Sequence, residues 1–129
     1  MPSSVVADLS PTGWGDPARR TGLPPHAAAF LQEELGATRP TPAGAPPPLT
    51  ASALPEPAAA ALRAVVGAEH VLVDDDARLV RAAGRSYLDL LRLRGSATLD
   101  APDAVVLPGT AAEVAGVLRA CADAGVAVV

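Results

Sequence analysis

Three adjacent carboxylates, Asp74, Asp75 and Asp76, are the densest group of potential metal ligands in this sequence. A calcium loop places its ligands at alternate positions and closes with a more distant Glu, and this run does neither. A carboxylate directly before a helix instead accepts hydrogen bonds from free backbone N–H groups and favours the positive helix end. We therefore predict that Asp76 caps a helix that begins at Ala77, and we assign no metal ligand.

Cys121 is the single cysteine, which excludes an internal disulfide and a multi-cysteine metal site. It falls on an apolar helical stripe, so we interpret it as a small core residue and not as a nucleophile. His26 follows two prolines at the start of a predicted helix, where we expect a surface position.

We also interpret the arginines and aromatic residues that could contact a ligand as structural residues. Arg92 and Arg94 fall in the last turn of a predicted helix, where they complement the helix dipole. We assign none of Arg85, Arg92 and Arg94 as a phosphate ligand. Tyr87 is interpreted as a core or interface ring. Trp14, in a glycine-rich loop, is expected to anchor that loop onto a neighbouring core. The sequence thus predicts no catalytic, cofactor-binding or metal-binding residue.

The charge balance excludes some partners. The chain has 129 residues, a net charge of -4 and an isoelectric point near 5.0. Nothing concentrates positive charge, which argues against a nucleic-acid partner or an anionic membrane surface. All ten basic residues are arginine, which we attribute to coding bias. There is no signal-peptide pattern and no run of the ~20 apolar residues that a membrane span needs. We expect a cytoplasmic protein.

Proline divides the chain. Twelve of the 14 prolines precede Ala58, and after that point apolar residues recur at the spacing of helices and strands. We predict a Pro-rich N-terminal extension at 1–57 with one short helix, started by Pro25 and stopped by Gly36. Within it, residues 38–57 form an extended linker that crosses a body outside this sequence, with disorder as the alternative. A helical lead-in follows at 58–100, and 101–129 begin a further domain.

The lead-in carries clear start and stop signals. Pro57 and Gly67 bound one helix, and residues 71–73 form a short apolar strand. Ser86 is positioned to cap a second helix, with Asp89 three residues later. We predict that the apolar face of this second helix contains two leucines and that Gly95 ends it; the leucines are Leu88 and Leu91.

The terminal segment predicts a strand–helix–strand unit. Residues 104–107 and 126–129 are continuous apolar runs, typical of strands buried on both faces. Thr110 and Glu113 form a capping box, and Gly125 is placed to end the helix in the left-handed conformation. The apolar stripe between them recurs at helical spacing and consists of Val114, Val117, Leu118 and Cys121. This is a minimal right-handed βαβ crossover with parallel strands, and such a sheet needs further strands. We therefore interpret the chain as the front end of a larger α/β enzyme.

Residues 101–108, the Glu-Val pair at 113–114 and residues 121–129 resemble the opening of the FAD-binding domain of the vanillyl-alcohol-oxidase, or FAD-linked oxidase, superfamily. Two upstream motifs are similar to the alkyldihydroxyacetone-phosphate synthase-like branch. They are Gly-Trp-Gly-Asp at 13–16 and Gly-Arg-Ser-Tyr-Leu-Asp-Leu-Leu-Arg-Leu-Arg at 84–94. Leu-Pro-Pro-His at 23–26 fits the same branch.

The resemblance implies a truncated α/β (α+β) fold: a helical or irregular N-terminal segment, then the first βαβ unit of the FAD-binding domain. It also implies FAD in a longer parent protein, bound by a glycine-rich pyrophosphate loop expected just after Val129. No FAD-contacting motif of the family falls on a residue of this chain. The parent's substrate would be a small or lipid-like molecule, with a homodimer as a candidate assembly.

Three functions stay open at this point. The parent would be a synthase-like flavoenzyme, or an FAD-dependent dehydrogenase of a 2-hydroxy acid such as D-lactate or glycolate. The alternative from another class is a non-catalytic interaction module or an inactive truncated product. We expect the isolated chain to bind FAD weakly or not at all, and its N-terminal half to be loosely ordered.

Overall fold

A computed structural model describes residues 13–14, 16–19, 21–36, 47–84, 86–95 and 99–129, and within these ranges it contains five α-helices and one two-stranded sheet. The helices are α1 (Pro25–Leu35), α2 (Glu56–Val66), α3 (Asp75–Val80), α4 (Tyr87–Gly95) and α5 (Ala111–Ala124), and the strands are β1 (Val71–Leu72) and β2 (Val105–Val106). Short 3-10 turns occur at Pro17–Arg19 and Ala68–His70. None of the described helices is long and apolar enough to cross a membrane.

Local sequence signals define the helix ends. Gly36 ends α1 in the left-handed region at φ 62°, as predicted, and Gly125 ends α5 in the same way at φ 65°. At the start of α5 the Glu113 N–H donates to Thr110 Oγ1 at 3.2 Å, and the Thr110 N–H donates to Glu113 Oε2 at 3.1 Å. The predicted capping box is therefore confirmed.

The larger core cluster, called the main cluster below, is formed mainly by α2, α5 and β1. Its buried members are Leu62, Val66, Val71, Val117 and Cys121. Gly116 lets the two helices approach closely, because a Cβ atom there would lie 2.7 Å from Val65 Cγ1. Cys121 is buried, as the apolar stripe predicts.

A second, smaller cluster lies around α4 and consists of the buried residues Leu90, Leu93 and Leu99, with Leu49 and Leu79 packed against it. We call it the small cluster. The sequence interpretation chose the wrong face of α4, because Leu88 and Leu91 are 62% and 45% exposed. Leucines occur at four of the six positions from 88 to 93, so spacing alone fits either face.

The sheet differs from the predicted parallel crossover. Strand β2 pairs with β1, and the two run antiparallel with Val71 opposite Val106 and Leu72 opposite Val105. Residues 126–129 form no strand pairing. The antiparallel ladder continues one position beyond the two strands, where the Leu107 N–H donates to the His70 carbonyl at 2.9 Å. The pairing partner was thus wrong, although the strands at 71–72 and 105–106 were predicted.

Residues 47–54, called the strap below, correct the expectation for the linker. Leu49 forms a parallel bridge with Leu99 and packs on the small cluster, whereas Leu54 packs on the main cluster. The strap therefore lies across this chain's own body, whereas a body outside this sequence was expected. Residues 38–46 of the predicted linker lie outside the described residues.

Candidate functional site

The acidic run starts helix α3, two residues earlier than predicted. Asp74, not Asp76, is the N-cap: its Oδ1 accepts a hydrogen bond from the Ala77 N–H at 2.9 Å. Asp75 is the first helical residue, and its Oδ1 lies 2.9 Å from Arg78 Nη1. Among the described residues, no group of three or more His, Cys, Asp or Glu side chains is placed to hold a metal ion.

Arg78 is the one described charged side chain that is buried, with 3% of its surface exposed. Its Nε donates to the Pro102 carbonyl at 2.8 Å, and its Nη2 donates to the Thr50 carbonyl at 2.5 Å. Together with the Asp75 ion pair, these bonds use every nitrogen of the guanidinium. Sequence reasoning missed this residue, because the only local signal is an Asp three positions earlier.

Glu113 occupies the position that an anionic ligand would take at the start of α5. Its Oε2 accepts hydrogen bonds from the Gly109 N–H at 2.6 Å and from the Thr110 N–H at 3.1 Å. A helix start that follows a strand and a Pro-Gly loop is a common place for phosphate, since its N–H groups are free. Here the Glu113 carboxylate accepts from the Gly109 and Thr110 N–H groups and the Thr110 hydroxyl accepts from the Glu113 N–H, so a negative charge already lies at this helix start. This helix end therefore does not fit the pyrophosphate of FAD.

A glycine nest at a strand end would supply the required backbone donors, and the glycine-rich loop that the resemblance places after Val129 is not among these residues. We accordingly assign no FAD-binding residue and derive no chemical step through FAD.

Helix α5 carries an apolar face that the fold covers only in part. Val117 and Cys121 are buried, whereas Val114 and Leu118 are 43% and 50% exposed. The predicted stripe thus lies on one helix, but two of its four members are largely exposed. After the helix, the Val126 N–H donates to the Cys121 carbonyl at 2.9 Å, and Val126 packs on the main cluster.

Ser86 and Asp89 cap α4 reciprocally. The Asp89 N–H donates to Ser86 Oγ at 3.2 Å, and Asp89 Oδ2 accepts from the Ser86 hydroxyl at 2.7 Å and from its N–H at 3.2 Å. The hydroxyl first and then the backbone N–H lower the pKa of Asp89 below its ordinary value, and the Arg92 charge adds to this. The predicted cap is confirmed, with Asp in the role that Glu more often fills.

The other singled-out side chains take surface positions. His26 and Arg94 are exposed, and the Arg92 side chain is 67% exposed. Tyr87 is 64% exposed, so it does not take the core position interpreted for it, and Trp14 is 60% exposed. Arg85 lies outside the described residues.

No protein-family model matches the chain. It is similar to Protein Rv2250A of Mycobacterium tuberculosis (strain ATCC 25618 / H37Rv), with 38% identity over 99 residues. The match covers 74% of this chain and 66% of that protein. The name of that relative states no activity.

Two solved structures of alkyldihydroxyacetonephosphate synthase share the fold. The P1 crystal form matches with a TM-score of 0.71 and 24% identity over 94% of this chain, and the P212121 form with 0.74 and 23% over 95%. The chain spans 27% of the length of either structure.

At this identity the likeness establishes fold and nothing about chemistry. It confirms the predicted mixed α/β class, and it agrees with the branch that the motifs at 13–16 and 84–94 resemble. The chain therefore has the fold of about a quarter of a synthase chain.

Proposed function

We propose that this chain is the N-terminal segment of an FAD-dependent flavoenzyme that resembles alkyldihydroxyacetone-phosphate synthase. The observation that carries the proposal is the fold match over 95% of the chain with a TM-score of 0.74. On sequence alone, the motifs at 13–16 and 84–94 support the same branch, and residues 101–129 support the superfamily to which that branch belongs. We retain the division into an extension at 1–57, a lead-in at 58–100 and the start of an FAD-binding domain at 101–129.

In this proposal the chain contributes scaffold and the chemistry lies elsewhere in the parent protein. FAD supplies the reactive group, and the described residues hold β2 and α5 in place ahead of the pyrophosphate loop. In the synthase-like parent, an acyl chain on a dihydroxyacetone-phosphate ester is exchanged for a fatty alcohol. In the alternative parent, a 2-hydroxy acid such as D-lactate or glycolate is oxidised. We place both in the cytoplasm.

The test uses the natural reading frame that contains this sequence. We expect its purified product to be yellow and to release FAD on denaturation, whereas the 129-residue chain purified in parallel stays colourless. A natural product that remains free of flavin after incubation with excess FAD would refute the proposal. Anaerobic D-lactate or glycolate would bleach the bound flavin of the dehydrogenase only, and fatty-alcohol incorporation would identify the synthase.

A non-catalytic interaction module is the second candidate, and the size of the curated relative favours it. A 99-residue match covers 66% of Protein Rv2250A, so that relative is itself a short protein. Such a module would use the exposed half of α5 around Val114 and Leu118 as its contact surface. A reading frame that stops near Val129, with a colourless and monodisperse product, would favour this candidate over the flavoenzyme.

A further inference from the structure

The described fold has two separate hydrophobic centres, and few elements join them. The main cluster is built on α2, α5 and the sheet, and the small cluster on α4 with Leu99. The strap contacts both, through Leu54 on the main cluster and Leu49 on the small cluster. The position of the small cluster relative to the main cluster therefore depends on how firmly the strap is held.

Polar bonds hold the strap at three points. The Leu99 N–H donates to the Pro48 carbonyl at 3.3 Å, the Ala53 N–H donates to Asp103 Oδ1 at 2.7 Å, and Arg78 binds the Thr50 carbonyl between them. The bond between Leu99 and Pro48 joins two neutral backbone groups, and the bond between Ala53 and Asp103 is exposed to solvent. Arg78 differs, since its guanidinium is buried and also binds the Pro102 carbonyl on the segment that leads from the small cluster to β2.

We propose that Arg78 acts as a lock: it holds the strap closed, and breaking its hydrogen bonds lets the strap and the small cluster open while the main cluster stays folded. The physical reason is the cost of unpaired carbonyls. Without the buried guanidinium, the carbonyl oxygens of Thr50 and Pro102 lose their charged donor, and they regain hydrogen bonds with water when the strap moves outward. Opening of the strap therefore restores hydrogen bonds to the two carbonyl groups, with water in place of Arg78.

Two amides report this opening directly. Ala53 and Leu99 donate the bonds at the two ends of the strap, so both exchange with solvent when it lifts. In Arg78→Met we expect their hydrogen exchange to accelerate about 10- to 100-fold, the factor that corresponds to losing a hydrogen bond to a charged group. Amides inside α5, including Val117 and Cys121, should change by less than about threefold because the main cluster remains intact.

Matched variants distinguish the hydrogen bonding of the Arg78 guanidinium from the loss of a positive charge in general. Arg78→Lys keeps the positive charge but not the planar fork, so it should also accelerate both amides. Arg63→Met removes an arginine whose ion pair with Glu56 is solvent-exposed, and it should leave both amides unchanged. Asp103→Ala should accelerate Ala53 alone, since it removes one end bond and leaves Arg78 in place.

The wild-type chain provides a test that does not depend on a variant folding. Under mild urea, Ala53 and Leu99 should exchange through one shared opening of lower free energy than the opening that exposes Val117 and Cys121. Equal opening energies for the strap and α5 would overturn the proposal. So would unchanged strap amides in both Arg78 variants, or a uniform acceleration of all amides, because Arg78 would then stabilise the whole fold and not the strap.

Discussion

Replacing Gly116 with alanine should destabilise the chain, although alanine is the better helix former. Gly116 lies in the interior of α5, where alanine is favoured over glycine by about 1 kcal/mol. Against this gain, the new Cβ atom would lie 2.7 Å from Val65 Cγ1 on α2, well inside van der Waals contact. Val65 is β-branched and held near one rotamer in a helix, so it cannot rotate away without cost. Overpacking of this kind costs about 1–3 kcal/mol, which leaves a net loss of up to about 2 kcal/mol.

The assay is equilibrium urea unfolding of the 129-residue chain, followed by far-ultraviolet circular dichroism. Gly95→Ala is the matched control, because Gly95 is the last residue of α4 and a Cβ atom there would have no neighbour within 4 Å. That variant should be neutral or slightly more stable. Adding Val65→Ala to Gly116→Ala should remove the clash and give a favourable coupling of at least about 0.5 kcal/mol. A higher urea midpoint for Gly116→Ala, or strictly additive effects in the double variant, would refute the packing argument.

Three further outcomes follow from the described contacts. Thr110→Ala should lower the free energy of unfolding by about 1 kcal/mol through loss of the α5 cap, whereas Thr110→Ser retains the hydroxyl and most of the stability; equal urea midpoints would contradict this. Because the pKa of Asp89 is lowered in the folded chain, its contribution is complete above the ordinary value of 3.8 and is lost as the pH falls through the folded value. Thermal unfolding between pH 6 and 2 should therefore depend less on pH in Asp89→Asn, and an unchanged profile would be the opposing result. The Cys121 thiol should react with a maleimide at least about 100-fold more slowly in buffer than in urea, since it must await an opening of the fold, and similar rates would show that it is accessible.

Features encoded within a few residues were predicted correctly. The capping box of Thr110 and Glu113, the helix stop at Gly36 and the left-handed helix end at Gly125 depend only on local backbone geometry, and all of them are present. The Asp74 cap was placed two residues too late, because three consecutive carboxylates can each fill that role and only the helix start distinguishes them.

Features that depend on distant segments were not predictable in the same way. Strand β2 has apolar runs on both sides in sequence, and its partner is the earlier strand β1 rather than residues 126–129. The buried face of α4 is set by Leu99 and Leu49, which lie outside that helix. Arg78 became visible only when the Thr50 and Pro102 carbonyls were brought to it from 28 and 24 positions away.

The contacts of Arg78 also determine which positions can vary as this protein diverges. The guanidinium binds carbonyl oxygens of the strap and of the segment before β2, so the side chains at 50 and 102 take no part in the link. Ala51 is exposed, and any residue that permits an extended backbone can occupy it. At position 78, by contrast, even lysine lacks the planar fork. Relatives that share this fold should therefore vary at positions 50 and 51 of the strap opposite a fixed arginine, while positions 49 and 54 stay apolar. The usual reading of variable positions as unimportant would overlook the link that their backbone makes.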